Sequence, residues 1–118
     1  MQLYHISNKV LESYRTYVKG NKHVNRSLAM RKLTRNVQLS VKSPLPFKDS
    51  GLQMYHYGNL DIVVDPKKHR IVSIRNFKGA TVEWFVKDEV KYQELNKEYR
   101  IDELEEKLKQ EYEVSVGF

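Results

Sequence analysis

Leu52-Gln-Met-Tyr-His-Tyr57-Gly-Asn-Leu60-Asp-Ile-Val-Val64-Asp-Pro66-Lys-Lys-His-Arg70-Ile71-Val-Ser-Ile-Arg-Asn-Phe77 reads as three strands and two turns. Strand-forming residues fill Leu52 to Tyr57, Leu60 to Val64 and Ile71 to Phe77. Gly58-Asn59 and the polar, proline-opened stretch Asp65 to Arg70 punctuate them. Connections this short join neighbours antiparallel, so the stretch predicts a β-meander. Side chains alternate between faces along a strand. Ser73, Arg75 and Phe77 should therefore share one face, with Val72 and Ile74 on the other. Tyr55 and Tyr57 should share a face opposite His56.

Upstream, Gln2 to Ile6 alternates as a short strand. Ser7 or Asn8 can cap a helix using Val10, Leu11, Tyr14 and Val18, which Gly20-Asn21 ends. A second helix is expected from about His23 to Leu33. After it, Thr34 can cap a short helix carrying Val37 and Val41 and stopped by Pro44, while the alternation of Val37, Leu39 and Val41 also fits a strand. The cap and the proline favour helix. Ser43 to Gly51 reads as a loop. Downstream, a helix begins near Lys87 with Val90, Leu95 and Tyr99. Asp102 and Glu105 form a capping-box-like start for another, carrying Leu104, Leu108 and Tyr112, and Glu113 to Phe118 can add a last strand. Trp84, Phe85 and Leu95 are too apolar to leave in water. The fold class is α+β: N-terminal helices packed on a small antiparallel meander, with a C-terminal helical extension.

A length of 118 residues predicts a single domain over 1–118. Its charge is split. Up to Gly79 there are 15 Lys and Arg against 4 Asp and Glu; from Ala80 onward there are 6 against 11. The halves carry net charges of +11 and −5, making the whole +6. That leaves a basic core, 1–79, and an acidic extension, 80–118. Uncompensated positive charge suits an external polyanion such as RNA; alternatively, the acidic tail neutralises the basic part internally. With no Cys, there is no disulfide scaffold, thiol nucleophile or thiolate-bound metal. No cofactor, metal site or membrane span is expected, because no ligand spacing and no apolar run of about 20 residues occurs. The absence of a signal-like N-terminus points to a cytoplasmic protein.

If His23 opens a helix, Arg31 lies eight positions on, near the same face, with Arg26 between. An imidazole and guanidinium groups on one face suit RNA cleavage by 2′-hydroxyl attack, moving protons and stabilising a charged phosphorane. A capping or exposed His among solvated cations is the plainer reading. Ser73 and Arg75 can hold a phosphate beside a stacking ring, although half-exposed strands often carry polar outer residues. His56 and Tyr57 are candidates for a second proton carrier or phosphate contact. Lys32 and Arg35 extend the basic surface. His69 reads as an exposed turn residue and His5 as structural.

The matching pieces are His23, Arg31, Leu33-Thr34, Val37, Pro44, Tyr57-Gly-Asn-Leu60, Ile62-Val-Val-Asp-Pro66 and Ile71-Val-Ser-Ile74. Together they resemble a small RNase-like domain of phage, mobile-element and polymorphic-toxin proteins, in the broad barnase–EndoU–colicin–RelE group. The resemblance covers under half the chain, and the hairpin is its most specific part. The middle arginine of the family's helix falls at Arg26 here; Ser27 stands where the family has it. The resemblance implies His23 as proton carrier, Arg31 as phosphate contact and Ser73 in place of a usual Thr. It implies a toxin-like, metal-independent RNA endonuclease with an antitoxin or immunity partner. Because some members of the group have lost activity, the alternative is a non-catalytic phage-type regulator or inhibitor binding a host protein or nucleic acid. A plain single-strand binder is the third reading.

Overall fold

Short turns and β-branched residues place three antiparallel strands side by side at the centre of the molecule. They are β3 (Gln53–Tyr57), β4 (Leu60–Asp65) and β5 (Arg70–Asn76). The computed structural model describes residues 2–43, 51–76 and 88–117. Gly58, with φ +57°, turns β3 into β4, and His69, with φ +50°, completes the turn into β5. At the two edges lie β2 (Val41–Ser43), antiparallel to β3, and β1 (His5–Ile6), parallel to β5. The mixed sheet has the order β1-β5-β4-β3-β2.

Two helices cover one face. In α1 (Asn8–Tyr17) the Ser7 hydroxyl accepts from the Val10 N–H at 3.2 Å, and Val10, Leu11 and Tyr14 are buried. In α2 (Arg26–Leu39) the Asn25 side chain accepts from the Leu28 N–H at 2.9 Å. Residues 32 to 37 of α2 are all buried, since helices α3 (Glu89–Glu98) and α4 (Ile101–Gly117) pack on its far side. The layers run sheet, α1 with α2, then α3 with α4. Their common core joins Leu28, Leu33, Ile62, Val64, Ile71, Leu95 and Ile101. The α+β architecture and the meander are as the sequence predicts.

Several local expectations need correction. His23 lies in the α1–α2 connection, two residues before the cap of α2, so it shares no helical face with Arg31. Thr34 caps nothing. It is a fully buried mid-helix residue whose hydroxyl accepts from the Tyr4 N–H at 3.0 Å. The tie after Thr34 resolves both ways: one helix runs through Val37 to Leu39, then Val41 enters a strand. Of the predicted first strand only His5 and Ile6 pair. The C-terminal stretch expected as a strand continues α4 to Gly117. Val90 is 69% exposed, while Leu95 and Tyr99 are buried as expected. The loop residues 44–50, Phe77, Trp84, Phe85, the predicted helix start at Lys87, the Tyr112 side chain and Phe118 lie outside what the structure describes.

A β-bulge alters the facing of β5. Val63 pairs with Ser73 but Val64 pairs with Ile71, leaving Val72 as the extra residue. Ile71 and Ile74, three apart, both turn to the helices, and Val72 is 37% exposed. Strict alternation put Val72 with Ile74; the inserted residue breaks that parity.

Candidate functional site on the sheet face opposite the helices

The face of the sheet turned away from α1 and α2 gathers the polar residues. Across three strands, His56, Asp61 and Arg75 stand directly opposite one another, and the next row runs Met54, Val63, Ser73. Paired side chains on neighbouring strands lie roughly 5 Å apart at Cβ, and alternate residues on one strand roughly 7 Å. Ser73 and Arg75 are exposed on this face; Val63 is buried but stands outside the helix-side core. Tyr55 and Tyr57, on the opposite face of β3, pack against that core, as alternation predicts.

His56 Nδ1 sits against the Asp61 carboxylate. An ionised carboxylate only accepts, so Nδ1 donates, and in the neutral ring Nε2 is then the accepting nitrogen. Such a pair holds the ring in one tautomer and stabilises the imidazolium that forms when Nε2 takes a proton. The side chains of His56 and Asp61 are 26% and 13% exposed, so the pair is half-sunk in the sheet. With Arg75 beyond Asp61, the row alternates imidazole, carboxylate and guanidinium.

The structure separates the other sequence candidates from this face. His23 lies beside α4 in a cleft of about 390 Å³ that Lys22, Lys32, Glu105 and Lys109 also line. Tyr57 faces the helices. The basic residues of α2 tie the molecule together. Arg26 donates to the Ile6 carbonyl at 2.6 Å and to Asn8. Arg31 donates to the Tyr99 carbonyl at 2.7 Å and to Ser27 at 3.3 Å. Lys32 is buried against Asn21 at 2.8 Å and pairs with Glu105. Arg35 is buried, donating to Asn96 at 2.7 Å and Asn36 at 3.1 Å with Tyr92 under its guanidinium. Lys32 and Arg35 read as part of a wet basic face in sequence, because the layer that buries them lies some 60 residues downstream.

Of the nine sequence candidates, His56, Ser73 and Arg75 come together on the face turned away from α1 and α2. Asp61 is the residue missed. Its signal was a lone carboxylate inside the apolar run Leu60 to Val64, which on the polar face of a strand needs a partner. The single cleft expected to hold His23, Arg31 and Ser73 does not form, because α2 and the rest of the helical layer lie on the side of the sheet opposite Ser73.

Among the described residues, no group of three or more His, Asp or Glu side chains is placed to hold a metal, and no helix is long and apolar enough to cross a membrane. No curated protein and no solved structure matches the chain. A family described as YorE, of phage type, matches residues 4–98, from just before β1 to the end of α3. That span takes in the whole His56–Asp61–Arg75 row and most of the chain, which therefore belongs to the YorE family.

Proposed function

We propose that the protein is a metal-independent RNA endonuclease whose cleavage site is the face of the sheet opposite α1 and α2. The observation that carries the reading is the cross-strand row His56, Asp61, Arg75 with Ser73 beside it. His56 Nε2 takes the proton from a ribose 2′-hydroxyl, and Asp61 stabilises the resulting imidazolium. The 2′-oxygen bonds to phosphorus and the bond from phosphorus to the 5′-oxygen breaks. The imidazolium returns its proton to the leaving oxygen, giving a 2′,3′-cyclic phosphate and a 5′-hydroxyl. Arg75 and the Ser73 hydroxyl stabilise the charge on the non-bridging oxygens. In this reading the protein is a toxin acting in the host cytoplasm and held in check by a protein partner. Incubating the protein with RNA in a chelator, then resolving products by end chemistry, tests it. His56→Ala should slow cleavage by about 100-fold or more. Intact RNA at high protein concentration, or unchanged cleavage in that variant, overturns the assignment.

A non-catalytic phage-type regulator on the same scaffold is the second reading. It is favoured by the outer helices, which expose Glu94, Glu98, Asp102, Glu103 and Glu106 as an acidic surface for a host protein. Expression separates the two: a nuclease arrests growth and selects changes at His56 or Arg75, whereas a passive binder does neither.

A further inference from the structure

We propose that the furrow running under the α1–α2 connection holds the backbone of single-stranded RNA, with Tyr17 as a stacking platform at the end of β5. The furrow consists of two clefts, of about 390 and 600 Å³, that meet at Gly20 and Lys22. Its charges sort into two kinds. Arg15 is paired with Glu12 at 2.9 Å and donates to the Val24 carbonyl at 2.8 Å; Lys32 is neutralised by Glu105. Those cations belong to the fold. Lys19, Lys22 and Lys109 remain, exposed and in no ion pair among the described residues. Three lysines along a concave wall answer a run of phosphates better than a single anion. Gly20, with φ +88° and open space where a Cβ would stand, leaves room for a backbone to pass.

Tyr17 gives the furrow its direction. The residue is 59% exposed, although it lies at the end of a helix whose other aromatic, Tyr14, is buried. The Tyr17 carbonyl accepts from the Asn76 side chain at 2.7 Å, and Asn76 follows Arg75. The end of α1 is therefore fastened to the strand that carries Arg75. A strand whose phosphates follow Lys109, Lys22 and Lys19 reaches Tyr17, where a base can stack, and then the sheet edge beside Arg75. The inference rests on the sheet-face reading only for the last part of that path.

The test uses full-length protein carrying His56→Gln, so that RNA is bound without being cut, and a fluorescein-labelled oligouridylate followed by anisotropy across salt concentrations. Lys19→Ala, Lys22→Ala and Lys109→Ala together should lower the slope of log affinity against log salt by about 2, since each single-strand phosphate contact contributes about 0.7. Tyr17→Ala should weaken binding by about 5-fold or more without changing that slope. An unchanged slope and affinity in the triple variant, or no binding by the His56→Gln protein, overturns the furrow. Equal affinity for duplex DNA overturns the single-strand assignment. Failure of the unsubstituted protein to cut RNA removes the sheet-face mechanism alone, because anisotropy decides the furrow separately.

Discussion

Thr34 shows how one side chain can hold two parts of the chain together. Its hydroxyl is the acceptor for the Tyr4 N–H, at a site with no exposure at all. Thr34→Val keeps the shape and strands that N–H, so denaturant unfolding should show a loss of about 1–3 kcal/mol, which Thr34→Ser largely avoids. Three phenols make a pH-dependent contribution. Burial pushes Tyr14 well above the usual tyrosine range, with Arg35 partly opposing; burial also raises Tyr4 and Tyr99, the latter offset by a hydrogen bond from Gln38. These groups ionise more easily in the unfolded chain. Their contribution is therefore complete below the ordinary value of about 10 and is lost as pH rises toward the higher folded values. Thermal melts should be level to about pH 9 on this account and fall above it, and Tyr14→Phe should flatten the fall. A Tm unaffected by strong alkali would contradict the assignment. Neither role was legible in sequence: Thr34 looked like a cap because its acceptor function is the same, and only the position of Tyr4 shows which N–H it serves.

At the scale of elements, helix starts follow from local chemistry. Ser7, Asn25 and Asp88 each accept from an N–H three residues on. Asn25→Ala should cost about 1 kcal/mol in denaturant unfolding while Asn25→Asp costs little, as a side-chain oxygen is all the cap requires. An equal loss in both variants would show that something other than the cap is at work. The sequence left the first cap between Ser7 and Asn8, and Ser7 takes it; it began the second helix at His23, because Val24 and Leu28 fit its spacing equally well. The meander was legible because Gly58 and the Asp65 to Arg70 turn limit how the strands connect. Its bulge was not, since an extra residue in one strand is visible only against its partner.

At the scale of the whole molecule, α4 lies beyond the residues that match the family, yet it supplies Ile101 to the core and Glu105 to the buried Lys32 ammonium. Glu105 is about half exposed, so its removal leaves Lys32 with Asn21 and some water. Glu105→Gln should lower stability by about 1 kcal/mol, and Lys32→Met paired with it should restore most of that loss. A double variant no better than the single would show that the pair is not what Lys32 needs. This internal neutralisation also bears on the charge split. Part of the positive excess of the first 79 residues is spent on Tyr99, Asn96 and Glu105, in the acidic extension itself. What the sequence by itself determined was local or additive: the turns and most of the strand alternation depend on residues within a few positions of one another, and the charge imbalance is a sum over residue types. Only the tertiary structure decided which cations are structural and which polar residues meet. Burial of Lys32 and Arg35 and the anchoring of Arg31 depend on helices some 60 residues away, and the His56–Asp61–Arg75 row exists only once β3, β4 and β5 pair in register.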